Sequence, residues 1–111
     1  MVSMVRLIDL KENFIWHGNV LRLPGKYPYE KFVDFMVYET QDKDRPYGLI
    51  VTSGYKAGLI LVQLPRECSS TEGGGIRKDW LVSNWEKWIY PDCNVAEVNF
   101  IDRYEARPIL P

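Results

Sequence analysis

Residues 47–64, YGLIVTSGYKAGLILVQL, constrain the fold more than any other stretch. Two runs rich in Leu, Ile and Val flank a centre in which Gly54 and Gly58 bracket a reversal, and glycine turns a chain back without a Cβ penalty. The pattern predicts two antiparallel strands joined by a tight turn. Both runs are apolar on both faces, which places the pair centrally in a sheet, one side against a helix and the other at least partly covered. Pro65 ends the second run, because it has no N–H to give to a ladder.

Most of the remaining chain also reads as short strands separated by turn chemistry. In KFVDFMVYET, Val33, Phe35 and Val37 alternate with Phe32, Asp34, Met36 and Tyr38, the period of a strand, and the polar QDKDRP that follows is a turn. RLIDL and NFIWHGNVLRL are strand-like, with Gly18 and Asn19 marking either a bulge or a second tight turn. Residues 24–31, PGKYPYEK, form a loop with room for one helical turn. NVAEVNFIDRY suits a late strand with one wetter face, and ARPILP, with two prolines, is a surface tail. These elements make one domain over residues 1–111, its tail covering 104–111.

The helix signal lies in GGGIRKDWLVSNWEKWIY. Gly75 can serve as its N-cap, Asp79 puts negative charge near the first turn, and Pro91 follows the last periodic residue. At about 100° per residue from Ile76, the residues Leu81, Val82, Trp85, Trp88 and Ile89 fall between roughly 120° and 240°, a stripe that faces a core. Trp80, at roughly 40°, lies beside Lys87 and off that stripe. It can cover the Ile76 end of the helix, pack under the loop that follows Pro65, or stand out as an anchor for a partner. The expected fold is α+β: a mostly antiparallel sheet of five to six strands with this one Trp-rich helix packed on one face.

Composition narrows the function classes. The chain is 46% hydrophobic and 14% aromatic, enough for one core, and 14 Lys and Arg against 15 Asp and Glu create no global basic field to gather a nucleic acid. Asp9, Lys11 and Glu12 interrupt the N-terminal aliphatics before a signal-peptide core forms, and the longest apolar run falls far short of the roughly twenty residues of a membrane span. A cytoplasmic location is expected. Cys68 and Cys93 read as free thiols in a reducing compartment, and His17, the only histidine, has no second ligand at metal spacing. Neither a metal nor a cofactor is expected. The triple glycine before Arg77 and Lys78 resembles an anion cradle but lacks the spacing of a P-loop or a dinucleotide fold, so a loop hinge is the simpler reading. A small enzyme using His17 with a carboxylate, and a nucleic-acid module using the glycine loop with Arg77 and Lys78, are the alternatives to a binding protein.

In organisation, with its GLIVTSGYKAGLILVQL hairpin, the GGGIRKDWLVSNWEKWIY helix and the closing VAEVNFIDRY strand, the chain resembles the small immunity proteins of bacterial polymorphic-toxin and contact-dependent growth-inhibition systems. The resemblance implies an intracellular inhibitor without catalysis that binds one cognate toxin, often a nuclease, and blocks its active site or an adjoining surface. Membranes and nucleic acids are not expected partners. A tight complex of that kind buries about 1,600 Å² around a few rigid aromatic or Arg anchors. Trp80, Arg77, Tyr27 and Tyr29 are the candidate anchors, with Asp42, Asp44, Asp79 and Glu86 as steering charges.

Overall fold

The computed structural model describes residues 4–25, 31–69 and 74–105 of the chain. In chain order the elements are β1 (Met4–Arg6), β2 (Phe14–Ile15), β3 (Val20–Pro24), β4 (Phe32–Glu39), β5 (Tyr47–Val51), β6 (Ile60–Leu64), β7 (Ile76–Arg77), α1 (Lys78–Ser83) and β8 (Asn99–Ile101). A π-helical turn at Trp85–Ile89 follows α1, and single 3₁₀ turns sit at Leu7–Asp9, Arg66–Cys68 and Val95–Glu97. Six strands form one antiparallel sheet in the order β1-β8-β3-β4-β5-β6, while β2 and β7 pair as a two-residue ribbon. The architecture is the α+β arrangement expected, with a smaller helix.

Strand register explains where the core sits. Phe100, Leu21, Phe35 and Val51 are successive cross-strand neighbours, and by the period of two Leu23, Val37, Tyr47 and Leu49 share their face. Of these only Phe100 is not fully buried. Leu7, Leu10, Ile15, Ile76, Leu81, Trp85 and Ile89 close over that face in the same cluster, so the ribbon, α1 and the π-helical turn together form the second layer. Each large apolar side chain buried there contributes about 1.5–3 kcal/mol, which outweighs any local propensity of so short a helix.

Several local expectations are corrected. The helix begins at Lys78 with Arg77 as its N-cap, because Ile76 and Arg77 are already paired with Ile15 and Phe14 and the Lys78 amide donates to Asn13 O at 2.9 Å. Gly75, with φ +82, turns the chain into that ribbon instead of capping the helix. At Asn84 the helix breaks: its Nδ2 bonds back to Trp80 O at 2.9 Å, its backbone leaves helical geometry, and the next turn widens to Tyr90 N donating to Trp85 O. RLIDL runs from strand into a 3₁₀ turn. The late strand shrinks to β8 because Asn94 accepts from Ala96 N and winds Val95–Glu97 into a turn. At Gly18 a tight turn is formed, φ +88, with Asn19 N donating to Trp16 O at 3.1 Å.

The glycine-bracketed hairpin forms as expected, with Gly54 and Gly58 both at positive φ and β6 ending at Pro65. Its position differs. β6 is the last strand of the sheet, and a register shift opposite Leu49 and Ile50 puts a bulge in it. Apolar residues on both faces do not require a central strand when the edge itself carries exposed Leu and Ile.

Candidate functional site

The three helical-segment tryptophans take different positions. Trp85 is wholly buried and fixes the segment to the sheet, with no hydrogen-bond partner for its Nε1. Trp88 is half-buried, and Trp80 packs on it with ring centroids 6.3 Å apart and against the core, so Trp80 covers its neighbour and keeps one edge in solvent. Arg45 lies over the Trp88 ring at 5.5 Å. A cleft of about 440 Å³ opens there between Asp44, Arg45, Pro65, Arg66, Glu67 and Trp88, its rim closed by the Arg66–Asp44 ion pair.

The other expected anchors and charges are spread around this segment. Arg77 Nη2 donates to Glu67 O at 3.0 Å, tying the helix start to the turn after β6. Asp79 receives Trp80 N at 2.8 Å and shares a second cleft, about 510 Å³, with Arg77, Lys78, Phe14 and Ile8. Asp42 shapes its own loop by accepting from Asp44 N, and Glu86 is exposed. The structure therefore brings both Asp44 and Trp80 beside Trp88, sets Arg77 and Asp79 at a second cleft, and leaves Asp42 and Glu86 as separate surface carboxylates. Tyr27 and Tyr29 lie outside the described residues.

The glycine loop is used for packing. Trp16 is 45% exposed yet lies against Gly74 and Gly75, both at positive φ. A Cβ at either position would sit 3.4 Å from its indole. The Gly75 amide donates to the Tyr47 hydroxyl, which in turn donates to Glu39 Oε1 at 3.1 Å. Burial, opposed by that amide, raises the Tyr47 pKa. An amide already engaged this way is not a free phosphate donor, and Lys78 Nζ is likewise held by the Ile8 and Leu10 carbonyls. His17 does meet a carboxylate, Glu39 at 3.5 Å, but both side chains stand well in solvent. Desolvation pushes the buried Cys68 thiol up to about 11 and raises that of Cys93, which keeps both protonated and poorly nucleophilic at neutral pH.

Two features carried no functional reading in the sequence. Asp34, 1% exposed on the sheet face opposite the core, holds Arg22 bidentately at 2.7 and 2.9 Å and accepts from the Tyr104 hydroxyl, which also meets Thr52 Oγ1 at 2.7 Å. Burial first and Asp34 second push Tyr104 up to about 12, and the Asp34 hydrogen bond raises Arg22. The group fastens the segment after β8 to β4 and β5. An Asp amid FVDFMV and an Arg amid VLRL were the available signals. The second feature is the hairpin tip, where residues 54–60 are all exposed: Tyr55 by 97%, Leu59 by 59% and Ile60 by 58%.

Among the described residues no cluster of three or more His, Cys, Asp or Glu could hold a metal ion, and no helix is long and apolar enough to cross a membrane. The polar groups described above hold the fold together, while aromatic and aliphatic side chains reach solvent at its edges. Comparison with known families gives the class, a small immunity protein of toxin systems. The profile of the Immunity protein 45 family matches residues 7–100, and the chain belongs to that family. No curated protein and no solved structure matches it.

Proposed function

We propose that this chain neutralises one cognate toxin domain by direct one-to-one contact in the cytoplasm, with no catalysis of its own. The family match over residues 7–100 carries the reading. In this reading the toxin belongs to a polymorphic-toxin or contact-dependent growth-inhibition system. A nuclease is the favoured enzymatic class: Asp79 and Glu86 are exposed carboxylates on the helical segment and Asp42 is exposed on the loop between β4 and β5, charges of the sign that draws in a basic nucleic-acid cleft. Trp80 and Trp88, packed at a tilt beside Arg45 and Asp44, supply the rigid aromatic and Arg surface on which interface energy concentrates.

The test is co-expression with the C-terminal domain encoded by the reading frame immediately upstream. Restored growth and a one-to-one complex by calorimetry are expected. Continued killing, with no heat of binding between the purified partners, would remove the reading.

A further inference from the structure

We infer that the toxin docks along the open edge of β6 by adding an extended strand of its own to the sheet, with Tyr55 seated in an apolar socket beyond that strand. This rests on the toxin-binding reading above and names its surface. Four observations converge on it. Along β5, Val51 N donates to Leu59 O and Thr52 N to Asp34 O, so odd residues bond toward β6 and even ones toward β4. Gln63 lies opposite Gly48, an even residue, and therefore directs its own N–H and C=O away from the sheet. Among the described residues no strand pairs with that side.

The edge carries a bulge and ends at Pro65, but it has no charge along it. Natural edge strands are blunted with charges or proline, yet residues 57–64 are uncharged throughout, with Leu59 and Ile60 more than half exposed. An extended apolar segment is the ligand such an edge fits: main-chain bonds supply affinity and alternate side chains supply specificity. The tip is ordered before binding. Gly54 and Gly58 adopt positive φ, and Ala57 N to Gly54 O, Gly58 N to Val51 O and Leu59 N to Lys56 O fix the loop, so little entropy is lost in presenting Tyr55. Finally, the far end of β6 runs through Pro65 into the cleft of Arg66, Asp44, Arg45 and Trp88, so edge, tip and cleft form one continuous surface.

A partner strand fits this edge better than a second copy does. Two copies paired antiparallel about Leu61, the residue that the register shift leaves without a partner, would set bulge against bulge and place Arg66 of each opposite Lys56 of the other. A separate chain can supply a register that matches the bend.

The experiment uses the full chain and the purified domain encoded upstream, with three variants. Gln63→Pro removes the outward amide at a position where an edge strand tolerates proline, Gln63→Ala controls for the side chain, and Tyr55→Ala removes the tip ring. Circular dichroism confirms that each is folded. Gln63→Pro and Tyr55→Ala are each expected to weaken binding at least about tenfold, with Gln63→Ala within about threefold of wild type. Hydrogen exchange on the wild-type complex is expected to show slowed exchange at Gln63, a readout independent of whether Gln63→Pro folds. Unchanged exchange there, or unchanged affinity in folded Gln63→Pro and Tyr55→Ala, overturns the edge while leaving toxin binding in place. A wild-type dimer by light scattering that Gln63→Pro converts to monomer overturns it too, because the occupant is then a second copy. A wild-type chain that binds no such domain removes the underlying reading and the edge with it.

Discussion

At the scale of single residues, the polar groups with the most at stake are buried ones that a strand pattern passes over. Asp34 is accommodated in a buried position on the outer sheet face because Arg22 and the Tyr104 hydroxyl take the place of water around its carboxyl oxygens. Tyr104 is the titrating reporter of this contact. Its folded pKa, about 12, exceeds the ordinary 10.0, so the neutral phenol is the form the fold prefers. The contribution is fully present below the unfolded value, near 10, and is lost as pH rises toward 12. Tyr47, also raised, adds to the same decline. Tyr104→Phe should therefore lower the unfolding free energy from urea titration at pH 8, by about 1.5–3 kcal/mol for a hydrogen bond to a charged group, and flatten the fall in stability between pH 10 and 12. Equal slopes for wild type and variant would show that Tyr104 is not coupled to folding. An Asp at a period-two position was legible; its partner 70 residues away was not, because strand order decides it.

At the scale of elements, what was legible in the sequence is what depends on neighbours along the chain. The turn between β5 and β6 needs two left-handed glycines, and β4 needs alternation; both are local, and both form. What stayed hidden depends on distant pairing. The β2–β7 ribbon is two residues long on each side and has no pattern, yet it decides where α1 begins. The break at Asn84 comes from one amide bonding back to Trp80 O, which a wheel of apolar positions does not record. The wheel nonetheless located the anchor of the segment. Trp85→Ala should cost about 3–5 kcal/mol in chemical denaturation, since the ring is wholly enclosed, whereas Trp88→Ala should cost distinctly less because its ring is only partly buried. Trp85→Phe should recover much of the loss, as the indole Nε1 has no partner to forfeit. Equal costs for Trp85→Ala and Trp88→Ala would mean that the π-helical turn docks through both rings alike.

At the scale of the whole molecule, the division between a sealed layer and an apolar edge sets what each surface residue can contribute to a complex. Trp16 lies over the glycine loop because β2 and β7 pair, and the sequence offers no sign that residues 16 and 74 are neighbours. Trp80 was legible as the ring outside the core stripe, but its contact with Trp88 gives it a structural share that must be measured apart from binding. Trp80→Ala is therefore expected to lower the melting temperature and, as an anchor of the cleft end of the surface, to weaken the toxin complex by about 2 kcal/mol at temperatures where the variant is folded. The carboxylates act differently. Asp42 and Glu86 are exposed, so their field is screened beyond about 8–10 Å at physiological salt and bears on approach more than on the docked state. Reversing both, as Asp42→Lys with Glu86→Lys, should slow association with a basic toxin several-fold at low salt, leave dissociation nearly unchanged, and converge on wild type at high salt. Stopped-flow kinetics at two ionic strengths separates these outcomes. A change confined to dissociation would place those carboxylates inside the contact, and a faster association would mean that the toxin surface is acidic, which the nuclease reading does not survive.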